Sequence, residues 1–121
     1  MSSVEILIVR EPVGIEALTP LAEAWHGTLV KGVADLGRGV IALGGEWHMD
    51  ANTALIADGA SQTNVWGFNV YPDERGDKAI EYISLINIRP RQGNKGMELI
   101  DATLRADIRS LVKTLIPDLS L

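Results

Sequence analysis

This sequence predicts an α+β domain: a mostly antiparallel sheet of about five strands, with two main helices and one short helix lying on one face. Three observations carry the prediction. Segments of strand and helix character follow one another in the order β, α, β-hairpin, short α, β, β, α. The turn chemistry of Asp35-Leu-Gly-Arg-Gly39 separates two apolar runs that can pair as a hairpin. Near the C-terminus, Leu104, Ile108, Leu111, Val112, Leu115 and Ile116 form one wide apolar stripe at helical spacing, as in a helix laid against a core.

Each element has its own justification. Val4–Val9 is β-branched and evenly apolar, which predicts a first strand buried on both faces and closed by Arg10-Glu-Pro12. Ile15, Leu18, Ala22 and Trp25 predict a helix over 15–26 that ends at Gly27. Pro20 favours a late start, with Thr19 as N-cap and the proline at the first helical position, because in a helix interior its ring would strain the preceding turn. Residues 28–36 read as strand or helix: Leu29, Val33 and Leu36 keep helical spacing, whereas Gly32 and the glycine turn favour a hairpin of 29–35 with 39–44. Asp50 is placed to cap a short helix that runs through Ala57 and stops at Gly59, with His48 just ahead of it.

Asn64–Tyr71 alternates in polarity, with Trp66, Phe68 and Val70 on the apolar side, and predicts a half-buried strand. Ile80–Arg89 is largely apolar on both sides, so it is expected as a central strand that empties into the polar, basic loop ending at Gly96. Asp101 caps the last helix and Pro117 ends it. The apolar tail Asp118–Leu121 either packs across a neighbouring subunit or frays.

Length and composition narrow the classes. A chain of 121 residues fits one domain, residues 1–121, with 46% hydrophobic and 22% charged residues, which is ordinary for a globular fold. The net charge of -5 argues against bulk nucleic-acid binding, which needs a surplus of cations on one face. Without cysteine there is no disulfide framework, thiolate metal site or cysteine nucleophile. Met1-Ser-Ser-Val-Glu5 lacks the features of a secretory signal and no stretch reaches the roughly 20 apolar residues of a membrane span, so a cytoplasmic location without membrane contact is expected.

Four blocks carry a family likeness: Gly44-Gly-Glu-Trp-His48, Asp58-Gly-Ala-Ser-Gln62, Trp66-Gly-Phe-Asn-Val-Tyr-Pro72 and Ser84-Leu-Ile-Asn-Ile-Arg-Pro-Arg-Gln-Gly-Asn94. Through them the chain resembles, over nearly its whole length, a prokaryotic family catalogued as domain of unknown function 5674. Trp47 departs from the aliphatic residue usual there, and Thr63-Asn64 from acidic ones. The resemblance implies a small cytosolic protein and no particular reaction.

Two clusters could carry chemistry. Arg89, Arg91 and Lys95 concentrate cations in an otherwise acidic chain, next to Asn94 and the flexible Gly93 and Gly96, a pattern suited to cradling a phosphate or carboxylate. The bland reading is a solvated loop in which Arg89 pairs with a carboxylate. Asn69 and Asn87 lie on apolar strands, where each amide must find partners; they either bond nearby loop backbone or line one pocket with Arg89 at the sheet's end. The leading expectation is therefore a binding or interaction module that uses Asn69, Asn87, Arg89, Arg91, Asn94 and Lys95 to hold an anionic small molecule or protein partner. A homodimer is left open.

The second cluster is His48 with Glu46 and Asp50, a loose His/carboxylate group. It supports the alternative of a hydrolase or transferase, with His48 as acid-base, Asp50 or Glu46 as orienter or metal ligand, and Arg89 stabilising developing negative charge. Against it stands a structural His48 bonded to backbone, with Asp50 merely a cap. His26, beside Gly27, is expected to meet helix-end carbonyls. No cofactor is implied and no metal site is assigned; Ser61 and Ser84 lack the partners of a hydrolase triad.

Overall fold

The turn at Asp35-Leu-Gly-Arg-Gly39 does what its glycines allow and organises the sheet. In the computed structural model, which describes residues 5–121, β2 (Val30–Asp35) and β3 (Val40–Gly44) pair antiparallel with Asp35 opposite Val40. Asp35 is buried, and its carboxylate accepts from the backbone N–H of Gly37 at 3.0 Å and of Arg38 at 3.2 Å, and from Arg38 Nε at 2.5 Å. These bonds satisfy the turn's donors and settle residues 28–36 as hairpin, not helix. β1 (Ile6–Val9), β4 (Val65–Val70) and β5 (Ile80–Glu81) complete a five-stranded antiparallel sheet in the order β1-β3-β2-β4-β5. The α+β class and strand number agree with the sequence reading.

The helices do not share one face. α1 (Thr19–Ala24), with Leu18 just before it, and α3 (Ala102–Leu115) set Leu18, Ala22, Ile108, Val112 and Leu115 into a core with Val30, Ile41, Leu43, Trp66, Phe68 and Val70. α2 (His48–Ala57) packs Ala51 and Leu55 on the other side, against Val33, Val40, Ala42 and Val65. The cause lies in the strands: β2, β3 and β4 alternate between two apolar sets, so both faces need cover. β4 is accordingly buried on both faces, not half-buried as its alternation suggested. β1 is an edge strand of mostly half-buried residues and not the doubly buried strand expected; Val4 lies outside the described residues.

Pro20 lies in the first turn of its helix, but Thr19 is the first helical residue and not the N-cap expected. A 3-10 turn over Ile15–Leu18 leads into α1, with Leu18 as N-cap and Pro20 in the first turn, one residue off the predicted start. The last helix is capped by Asp101, whose Oδ1 accepts from Leu104 N at 2.9 Å. The tail neither frays nor reaches away: Leu119 is fully buried in the chain's own core, and Lys113 Nζ donates to the carbonyls of Pro117 and Leu119, both at 2.7 Å.

The largest correction concerns residues 80–89. Only Ile80 and Glu81 pair with β4, and they do so at the sheet's edge; beyond them the chain leaves the ladder through 3-10 turns at Leu85–Asn87 and Pro90–Gln92. Gly67 makes this path available. A Cβ there would lie 2.5 Å from Ser84 Cβ, so the segment presses onto bare backbone. The polar groups of β4 left without a strand partner are taken up by side chains. Asn87 Oδ1 accepts from Gly67 N at 2.8 Å and its Nδ2 donates to Gly67 O at 3.0 Å, while Arg89 Nη2 donates to Val65 O. One carboxamide thus pairs with both backbone groups of Gly67 as a neighbouring strand would.

Candidate functional site

The basic loop is held by the same economy. Asn94 is buried, with Nδ2 donating to the carbonyls of Asn87 (2.8 Å), Gly96 (2.9 Å) and Glu98 (3.1 Å), and Oδ1 accepting from Ile100 N (3.0 Å). Arg89 donates from Nε to Ile86 O at 3.0 Å and from Nη1 to Gln62 O at 2.7 Å, and its guanidinium lies 4.0 Å from the Trp66 ring centroid. Its partners are carbonyl oxygens and the Gln92 amide, not the carboxylate that the bland reading expected, and burial pulls its pKa below the usual arginine value. Asn87, Asn94 and Arg89 are therefore committed to holding the chain in place. Arg91 and Lys95 remain on the surface, without a carboxylate partner among the described residues.

Among the described residues, neither Asn87 nor Arg89 lines the cavity that Asn69 lines, so the expected grouping of the three is not seen there. That cavity is about 510 Å³, and Lys31, His48 and Ser84 line it with Asn69. Its apolar walls come from Trp47, Met49, Ile83, Leu85, Ile86 and Met97. Trp47, Met49 and Leu85 are each more than half exposed, so the opening is ringed by apolar side chains facing solvent. Neither Arg89 nor the basic loop lines this cavity.

The cavity's position follows from strand register. Lys31 on β2 stands directly opposite Asn69 on β4, and Asn69 directly opposite Glu81 on β5, so a cation, an amide and a carboxylate form one row across the face that α2 covers. Asn69 Nδ2 donates to Glu81 Oε1 and to Ile83 O, both at 3.3 Å, and Tyr71 OH donates to the same Glu81 oxygen at 2.7 Å. Asn69 Oδ1 is the one buried side-chain polar atom without a partner among the described residues.

His48 is the first residue of α2 and does not precede it. Trp47 is the N-cap, and Asp50, third in the helix, accepts from Trp47 N at 3.1 Å, which corrects its expected place as the cap itself. His48 Nε2 donates to Phe68 O at 2.9 Å, the backbone partner of the structural reading. Glu46 offers its carbonyl to His26 Nε2 at 3.0 Å, so His26 too meets backbone, though not at the end of its own helix. The His/carboxylate cluster thus comes apart into separate backbone bonds, and among the described residues no three His, Asp or Glu side chains are grouped to hold a metal.

Burial is the main reason that the pKa of His48 falls to about 4; the Phe68 carbonyl opposes the shift, Lys31 adds to it, and Asn69 opposes it weakly. The folded value lies below the unfolded one of about 6.5, so as pH falls the unfolded chain takes up the proton first. Stability from the neutral imidazole is full above that unfolded value and is lost as pH drops through the folded one. Between about pH 7 and about pH 5 the loss is expected to be roughly 2 kcal/mol, measured by urea unfolding. His48→Gln, which keeps a donor for Phe68 O, is expected to remove that part of the pH dependence; an unchanged slope contradicts the assignment.

A second cleft, about 470 Å³, lies beside Tyr82 and α3 and includes Arg105 and Arg109. Each guanidinium already has a carboxylate, Glu98 at 3.8 Å and Asp77 at 2.8 Å. It therefore offers no unpaired cation, and the His48 cavity is the better candidate. Sequence reading missed Lys31, Ser84 and Trp47. A lone lysine within an apolar strand was a signal for Lys31, but only the pairing register joins it to Asn69.

No helix among the described residues is long and apolar enough to cross a membrane. A family model described as Protein of unknown function (DUF5674) matches residues 7–115, in agreement with the resemblance read from the sequence. No curated protein and no solved structure matches the chain.

Proposed function

The chain belongs to the DUF5674 family of proteins of unknown function, and we propose that it is a small cytoplasmic binding module whose site is the cavity beside His48. The observation that carries this reading is the make-up of the cavity, apolar walls from Trp47, Met49, Ile83, Leu85, Ile86 and Met97 around the polar Lys31, His48 and Asn69. The polar minority among apolar walls matches the composition of small-molecule sites.

The test is a thermal-shift screen of small aromatic and aliphatic acids, amides and alcohols on the full chain and on Met97→Trp, which narrows the cavity from an exposed position. A compound at about 100 times its dissociation constant is expected to stabilise the wild type by about 2.7 kcal/mol. Met97→Trp is expected to abolish the shift. No stabilising compound, or shifts that persist in Met97→Trp, would sink the reading. The exposed Trp47, Met49 and Leu85 also favour a second occupant, another copy of this chain covering the opening. Light scattering across a concentration series separates the two, since a dimer changes mass without added compound.

A further inference from the structure

We infer that the cavity beside His48 takes an apolar molecule ending in a single carboxylate, with Lys31 as the residue that meets the charge; the inference rests on the binding-module reading above and names its ligand class. The lining sets one charge among many apolar groups. Of the described residues that line the cavity, Lys31 alone carries a charge at neutral pH, and no Asp or Glu is among them. His48 adds none there, because burial holds its pKa at about 4 and its Nε2 is engaged by Phe68 O. Lys31 itself is half-buried, so its long side chain remains open to a molecule seated beside it.

No carboxylate of the chain answers that charge. Among the described residues none lies within ion-pairing distance of Lys31. The row across the sheet runs Lys31, Asn69, Glu81, which sets the Glu81 carboxylate two strands away with the amide between them. That carboxylate already accepts from Asn69 Nδ2 and from Tyr71 OH. The counter-charge for Lys31 therefore comes from outside the chain.

Desolvation then selects among ligand ends. Any molecule that fills the cavity strips hydration from the half-buried ammonium, and a neutral end gives back only a weak hydrogen bond. A cationic end adds repulsion. A carboxylate returns a charge-assisted hydrogen bond and neutralises the site one to one. A phosphate or dicarboxylate brings a second charge to a lining with no second cation, and that charge loses water without a partner. The apolar walls set the rest of the molecule: Trp47, Met49 and Leu85, each more than half exposed, are covered when an apolar body reaches the opening. The anionic partner foreseen from the sequence thus moves from the loop at 89–95 to Lys31.

The experiment is an NMR titration of the full wild-type chain, at about pH 7 where the acid is ionised, with three probes of one shape: a naphthalene carboxylate, the matching carboxamide and the matching methylamine. The carboxylate is expected to bind at least about tenfold more tightly than either of the others, with backbone shift changes at Lys31, Trp47, Ile83 and Met97. Lys31→Met, which keeps the stem and removes the charge, is expected to bring the carboxylate down to the level of the amide while leaving the amide nearly unchanged. Because the wild-type preference and its location are measured first, the result does not depend on that variant folding. An amide or amine that binds as tightly as the carboxylate overturns the inference. So do shift changes centred on Arg91 and Lys95, or a preference that survives in a folded Lys31→Met. If none of the three binds while other compounds give thermal shifts that Met97→Trp abolishes, the inference fails and the binding reading stands. If those shifts are insensitive to Met97→Trp, both fail.

Discussion

Replacing Asn87 by leucine is expected to destabilise the protein by about 4 kcal/mol, the largest effect of any single substitution considered. Asn87 is fully buried, and its amide answers both the N–H and the C=O of Gly67, at 2.8 and 3.0 Å, where β4 has no neighbouring strand. Leucine keeps the approximate volume but strips both backbone groups of their partner in a place that water does not reach. Each orphaned group costs about 1–3 kcal/mol. Urea unfolding at neutral pH measures the change, with a slope matching the wild type if the transition stays two-state. A loss under about 1 kcal/mol would mean that the carboxamide does not serve as a surrogate strand.

Arg89→Ala is expected to cost about 3 kcal/mol, and Arg89→Lys about 2 kcal/mol. The guanidinium reaches the carbonyls of Gln62, Val65 and Ile86 in three directions and also lies over Trp66. An ammonium group cannot span that fork or stack as a plane, so charge alone is a poor substitute. The same urea experiment separates two roles for this residue. Large losses of stability in both variants, with ligand-induced shifts retained in whatever fraction folds, fit a structural brace. A stable Arg89→Lys that loses binding would return the residue to the site foreseen from the sequence.

These two residues also explain where sequence reading stopped. Asn87 stands out in the sequence as an amide on an apolar run and Arg89 as a cation of the basic loop, and both are held by specific partners. For Asn87 a shared ligand pocket and bonds to loop backbone differ only in what lies nearby, whereas Arg89, expected beside an anion or a carboxylate, meets carbonyls. The bland account comes closer for Asn87, although its main partner is strand backbone at Gly67. The alternating residues of 80–89 fit an extended strand by periodicity, yet periodicity does not register that Gly67 permits Ser84 to press within what would be van der Waals range of a side chain. Likewise Asp50 was legible as a helix-start residue, but whether it caps or reaches back from the third position depends on one turn of backbone.

Local chemistry in the sequence determined the hairpin at 35–39, the late start of α1 at Pro20, the Asp101 cap, the apolar stripe of α3 and the α+β class. Each depends on residues close together in the chain, whose preferences act before any distant contact forms. Tertiary structure alone decided that helices cover both faces, that β5 stops after two residues, and that Lys31, His48 and Asn69 share a cavity while Asn87, Arg89 and Asn94 do not. Those outcomes rest on strand order and register, which bring residues dozens of positions apart into contact, and on where buried backbone groups must find partners.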